Sequence, residues 1–298
     1  MGDEYELRVP PGHHHSPIPS AVDVDRALAV AAAAGPSLPG IALRGAEQMA
    51  MLQRWQVHYD DLYLAREPGP DRFYLDNEWF TCGDAVGYAL MLRALRPERV
   101  VEVGSGFSSA LALDVAERHL DRAPEFRFID PDPRRLQQLA RPGDLAGRLL
   151  IQPVQQVPVA VFEALRSGDI LFIDSSHVMK AGSDVQYLFA EVLPRLPAGV
   201  FVHIHDVFYP FEYPESWLRR GTFLNEAYVL RTLLEGGSRF RIELFNDYLV
   251  RFHRPWFAAH MPLFLEAPFP TGGIWLQTRR QRDLFRRRND PPAWSRPL

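Results

Sequence analysis

Two short segments concentrate side chains able to move a proton or bind a cation. Asp169 to His177 reads D-I-L-F-I-D-S-S-H, and Val202 to Asp206 reads V-H-I-H-D. Each sets apolar residues before a polar end, the pattern of a buried strand reaching the edge of its sheet. In an open α/β sheet, ligands sit beyond the carboxyl ends of the strands. Asp174, His177, His205 and Asp206 are therefore placed for chemistry. Imidazole titrates near neutral pH, which makes His177 or His205 the candidate general base and Asp206 its partner. Strand alternation puts His203 and His205 on one face and Asp206 on the other, unless the strand has already ended.

A further strand-and-turn stretch runs from Arg99 to Ser109, R-V-V-E-V-G-S-G-F-S-S. Val100, Val101 and Val103 suit a strand covered on both faces. Gly104 and Gly106 allow a sharp turn and a close approach to a ligand. Ser108 or Ser109 is expected to cap the helix running through Leu111 to Leu120. A dinucleotide fingerprint requires a third glycine where Ser109 stands. Glu102 is also out of place beside a pyrophosphate and suits a cationic ligand, so a nicotinamide-dependent oxidoreductase is the weaker alternative. Asp130, in F-I-D-P-D-P, can accept hydrogen bonds from both hydroxyls of a ribose. Capping the helix after Pro133 is the other role open to it, and Asp132 is expected to fill that role better.

The stretch E-V-G-S-G-F-S-S resembles the first motif of class I S-adenosylmethionine-dependent methyltransferases. F-I-D-S-S-H-V-M-K-A-G-S-D-V and V-H-I-H-D-V-F-Y-P-F-E-Y-P resemble a bacterial subgroup near the macrocin-type and other natural-product or sugar O-methyltransferases, over about Asn77 to Leu276. The resemblance implies S-adenosylmethionine (SAM) held by Glu102, Gly104, Ser105, Gly106, Ser108, Ser109, Asp130, Pro131, Gln156 and Asp174. Gln155 and Gln156 stand where the family reads adenine, and a side-chain amide can pair with the adenine edge as donor and acceptor. The implied reaction moves a methyl group to a small-molecule or sugar hydroxyl. Transfer to nitrogen or carbon, or a catalytically silent SAM-binding protein, fits the same fold. Several O-methyltransferases of the wider class bind a divalent cation at these two strand ends. Asp174 and Asp206 match, but Val207 takes the place of a further ligand. His205 or His177 would have to substitute, which favours softer ions than Mg²⁺.

These residues need a scaffold of alternating strands and helices. Strands are predicted at Val100–Val103, Phe126–Ile129, Leu149–Ile151, Ile170–Ile173 and Val200–Ile204, with later ones at Phe240–Phe245 and Gly273–Leu276. Helices are predicted after Ser108, at Pro133–Leu139, Val159–Leu165 and Ser183–Leu193, and, before the first strand, at Val22–Ala34, Ile41–Leu64 and Asp84–Leu95. The alternation implies a doubly wound, mostly parallel seven-stranded α/β sheet, Rossmann-like, with an N-terminal helical extension. The family resemblance implies that the last strand, Ile274-Trp275-Leu276, inserts antiparallel. The organisation expected is a leader over 1–20, the extension over 21–70, a SAM-binding domain over 71–278 and a basic tail over 279–298. Phe73 to Phe80 is a packing seam or a cover over the cofactor. Tyr209, Phe211 and Tyr213 read as an aromatic wall over the acceptor, with Asn225 and Glu226 facing it.

Composition sets outer bounds. The 298 residues carry a formal net charge of -4, which opposes a nucleic-acid binder driven by phosphate contacts. One cysteine, Cys82, excludes an intrachain disulfide framework and fits a reducing compartment. The longest apolar run is too short to span a bilayer and the N-terminus lacks a signal-peptide pattern. The expectation is a cytoplasmic enzyme acting on a small molecule, with neither membrane nor nucleic acid as partner, as a monomer or a homo-oligomer.

Overall fold

The computed structural model describes residues 8–80, 82–235, 239–266 and 271–280. Seven strands form one sheet: β1 (Arg99–Val103), β2 (Glu125–Ile129), β3 (Leu149–Leu150), β4 (Ile170–Ile173), β5 (Phe201–His205), β6 (Phe240–Phe245) and β7 (Gly273–Thr278). Their order is β3-β2-β1-β4-β5-β7-β6. β1 to β5 are parallel, and β7 lies antiparallel between β5 and β6. This is the doubly wound, mostly parallel α/β sheet expected from the sequence, and the last strand inserts antiparallel as expected. The β-branched and aromatic runs that predicted the strands occupy its fully buried centre, where both faces are covered.

Ten helices accompany the strands among the described residues: α1 (Ala21–Ala32), α2 (Gly45–Asp60), α3 (Cys82–Leu95), α4 (Phe107–His119), α5 (Arg134–Leu139), α6 (Ala160–Glu163), α7 (Asp184–Tyr187), α8 (Glu215–Arg219), α9 (Glu226–Leu234) and α10 (Asn246–His260). The predicted helix over Ile41 to Leu64 starts later, at Gly45. The predicted helix after Val159 shrinks to a single turn. Asp132 does not cap α5; its carboxylate pairs with Arg134 instead.

α3 covers the face of the sheet on which Glu102, Phe172, His203 and Trp275 share one register row. Tyr88 of α3 stacks on Phe172 with ring centroids 4.6 Å apart. α1 opens with a capping box, Ser20 accepting from the Asp23 amide while Asp23 accepts from that of Ser20. α2 is tied to the sheet by Gln48, whose amide receives the Phe245 N–H and donates to the Leu43 carbonyl. No helix among the described residues is long and apolar enough to cross a membrane. Gln281, Arg282 and Arg286 to Arg288 of the predicted basic tail lie outside the described residues.

Candidate active site

A cavity of about 710 Å³ opens at the carboxyl ends of β1, β2, β4 and β5, a volume within the range of small-molecule sites. Its floor at β1 is the glycine turn. Gly104 has φ +79°, and a Cβ there would lie 2.0 Å from the carbonyl oxygen of Asp174. The glycine thus lets β1 and β4 end side by side, a packing reason rather than the ligand clearance expected from sequence. Gly106 begins α4, and a Cβ on it would meet Arg135 Cδ at 2.9 Å.

Asp130 stands at the end of β2 and lines the cavity with Pro131. One of its oxygens accepts from the Ser105 amide and hydroxyl at 2.8 and 2.9 Å, the other from the Asp132 amide at 2.8 Å. The carboxylate is therefore held in a fixed orientation. Beyond it, Pro153, Val154 and Gln155 form the next wall. Gln156 does not reach the cavity and is exposed. The short 3₁₀ turn over Val154–Gln156 directs the first glutamine inward, where it donates to the Gly182 carbonyl at 2.9 Å.

Glu102 is the clearest correction. It is fully buried beneath the turn and does not line the cavity. It accepts hydrogen bonds from the Ser108 and Ser109 hydroxyls at 2.6 and 2.8 Å. Burial pushes its carboxyl up to about 8, so at neutral pH it is largely an uncharged brace. Ser109 is buried with it and receives the Gly106 amide, the one capping contact of the two serines, while Ser108 reaches the cavity rim.

β4 and β5 deliver the titratable cluster. Asp174 follows β4, and Asp206 follows β5 at φ +55°, so the strand has ended and His205 and Asp206 both face the cavity. His203 does not; it lies under the sheet against Phe172 and Trp275. His177, at φ +57°, turns its ring back between the strand ends. Its Nε2 is 3.3 Å from Asp174 and 3.5 Å from Asp206, and its Nδ1 is 2.9 Å from Glu226. Burial alone would lower the proton affinity of this imidazole, but the hydrogen bonds to Asp174 and Glu226 and the charge of Asp206 raise it well above its ordinary value. Burial would likewise raise Asp174, yet His177 and the neighbouring histidines hold it at about 2. The His205 ring lies tilted against Phe80 with centroids 5.2 Å apart, and Asp206 and Asp174 raise its proton affinity against its burial.

This arrangement bears on the expected divalent cation. The two carboxylates converge on His177 Nε2, so the ring stands where a shared ion would have to lie. Among the described residues no three His, Cys, Asp or Glu side chains are placed to hold a metal. The donor set of Asp174, Asp206 and His205 does not fit a cation as the side chains stand.

The expected substrate wall is also corrected. Tyr209, Phe211 and Tyr213 are buried and do not line the cavity. Tyr209 packs on Tyr248 and Phe252, Phe211 on Phe245, and the Tyr213 hydroxyl accepts from the Ala227 amide. Asn225 pins the chain after His177 through the Met179 amide, at 2.6 Å. Glu226 is buried behind His177 and also accepts from Ser175. Neither faces an acceptor. Trp79 and Phe80, from the seam that could cover the cofactor, do line the cavity.

Arg135, Lys180 and Asp184 line it without having been singled out from sequence. Lys180 had a signal, since it is the only lysine in the chain. Arg135 had none, being one arginine among many.

Residues 101–207 match a methyltransferase domain family. An uncharacterized protein of Archaeoglobus fulgidus is 33% identical over 169 residues, covering 54% of this chain and 75% of the archaeal protein. Among solved structures, the SAH-bound methyltransferase PaMTH1 of Podospora anserina is 12% identical, with 94% of this chain and 100% of that one covered and a TM-score of 0.40. The O-methyltransferase TomG of Streptomyces achromogenes, in complex with SAM, is 16% identical, with coverages of 78% and 90% and a TM-score of 0.39. Likeness at that level carries no role from those proteins to this one. The shared sequence does carry kinship: the chain belongs to one family with the archaeal protein.

Proposed function

We propose that the protein transfers a methyl group from SAM to an oxygen of a small-molecule acceptor. The observation that carries this reading is one continuous cavity joining the glycine turn and Asp130 to the carboxylate-bound His177. SAM supplies an electrophilic methyl on a sulfonium, so the protein need only align the acceptor and accept its proton. Asp130 would hold the ribose hydroxyls, with Pro131, Val154 and Gln155 beside the base. Asp174, ionised at neutral pH, would offer its charge to the positive sulfur.

His177 is the residue that takes the acceptor's proton. In the free protein three carboxylates hold the ring as an imidazolium, which cannot act as a base. A second positive charge entering the same cluster lowers the affinity of His177 for its proton. The imidazolium proton would pass to solvent at that stage, leaving a neutral ring whose Nε2 would take the acceptor's proton as the methyl–sulfur bond breaks and the methyl–oxygen bond forms. His205 stands by as a second imidazole on the same wall. Asp174, His177, His205 and Asp206 act as a proton-handling group in this reading and bind no metal. The acceptor enters past Trp79, Phe80 and Lys180.

Titration calorimetry with S-adenosylhomocysteine tests the cofactor. The parent should bind it, and Asp130→Ala should weaken binding by about 1–3 kcal/mol through the lost ribose hydrogen bonds. Binding of a nicotinamide dinucleotide with no response to S-adenosylhomocysteine would overturn the reading. Loss of turnover in His177→Ala with S-adenosylhomocysteine affinity retained is the result expected of a proton acceptor.

A further inference from the structure

The Arg135 side chain lies across the cofactor end of the cavity in a posture that packing alone does not require. Its guanidinium carbon sits 3.6 Å from the centroid of the Trp79 indole. Its Cδ and Nη1 pass 2.9 and 3.8 Å from the point a Gly106 Cβ would occupy. A side chain at position 106 would therefore displace the arginine. Both Arg135 and Trp79 line the cavity, and Trp79 is 59% exposed, an open position for so large an aromatic surface. Neighbouring Arg134 is paired with Asp132, whereas Arg135 makes no ion pair among the described residues. A planar cation is thus oriented by stacking, left without an anion, and held over the start of α4, whose first amides have no acceptor within the helix.

The remaining cavity residues narrow what that anion is. Asp130, Asp174, Asp184 and Asp206 bring four carboxylates to the lining, and His177 is enclosed by carboxylates, so Arg135 and Lys180 are the cations that face the cavity without an ion pair among the described residues. The carboxylate of the amino-acid end is the one anionic group the cofactor would bring into this cavity, and Arg135 beside Gly106 is a cation free to meet it. We infer that Arg135, held flat by Trp79, grips the carboxylate of the cofactor's amino-acid end through its guanidinium fork. The inference rests on the SAM reading above and names the residue that distinguishes the whole cofactor from its truncated nucleoside.

The test compares two ligands on three proteins by calorimetry. S-adenosylhomocysteine carries the carboxylate, and 5′-methylthioadenosine lacks the entire amino-acid end. Arg135→Met should lose about tenfold to a hundredfold in affinity for S-adenosylhomocysteine, the range of a charge-assisted hydrogen bond. Its affinity for 5′-methylthioadenosine should stay within about twofold of the parent's. Trp79→Leu, which keeps the charge but frees the fork, should show a smaller loss confined to the same ligand. Arg135 is partly exposed, and an unchanged melting temperature checks that the variants fold. If Arg135→Met weakens both ligands equally, or neither, the carboxylate role is overturned while the SAM reading stands. If the parent binds neither ligand, that reading falls and this inference with it.

Discussion

Glu102 and His177 both hold a proton more tightly in the folded chain than in the unfolded one, for different reasons. For Glu102 the cause is burial, and for His177 it is a ring of carboxylates strong enough to overcome burial. Each contributes stability that is complete below its unfolded value and lost as pH rises through its folded value. For Glu102 that window runs from 4.5 to about 8; for His177 it opens at 6.5 and extends upward. Asp174 acts at the other end, its share present above 3.8 and lost as pH falls through about 2. Glu102→Gln keeps an acceptor for Ser108 and Ser109 and has nothing to ionise. Melting curves from pH 4.5 to 8 should therefore fall more steeply for the parent than for the variant, and parallel curves would show that Glu102 is not the group losing its proton. From sequence, Glu102 read as a ligand contact because an acid beside a glycine turn invites that reading. Its side chain points under α3, and Ser108 and Ser109, six and seven residues later, were the trace of that in the sequence.

The segment from Asp71 to Phe80 owes its place to one buried arginine. Arg72 pairs with Asp114 of α4 at 2.7 Å, with Glu117 at 2.6 Å and with Asp144 through two nitrogens at 2.7 and 2.9 Å. The Arg72 and Phe73 amides bond the same Asp114. Further along, Asn77 fixes the turn that presents Trp79 and Phe80 by receiving both their amides. Arg72→Met would leave the buried Asp114 carboxylate with only the two amides and the longer 3.9 Å pairing to Arg141, at a cost of up to about 3–5 kcal/mol in chemical denaturation. It should also weaken S-adenosylhomocysteine binding through the displaced Trp79, and undisturbed binding in a folded variant would detach this segment from the site. The strands and most helices were legible because their periodicity is local. The stretch after β5 was not. Its prolines and aromatics resemble a surface lid, but Phe245, Tyr248 and Phe252, which bury it, come from elements whose position only the complete sheet determines.

At the scale of the molecule, the N-terminal helices are stitched to the far edge of the sheet. Gln48 bridges Leu43 and Phe245, and Arg44 donates to the Ile242 carbonyl at 2.9 Å. Gln48→Leu would orphan a buried N–H and a buried carbonyl, costing about 1–3 kcal/mol in the same denaturation measurement. A loss well under 1 kcal/mol would mean that water replaces the amide there. The alternation through β5 was legible in the sequence and the antiparallel last strand followed from the family resemblance, whereas the order of the strands is a property of the whole chain.

That order has a temporal side. β7 supplies the neighbour that β5 needs: the Asp206 amide donates to the Gly272 carbonyl at 2.8 Å, and His203 lies against Gly273. A ribosome makes β5 some seventy residues before β7. During that interval the emerging polypeptide has a glycine turn and Asp130 already flanked by their own strands, while His205 and Asp206 stand on an open sheet edge. On the proposed function, the half of the cavity that would hold the nucleotide can take shape while translation is still under way, whereas the half that would handle the proton waits for β7. A nascent protein would then hold cofactor before it could use it.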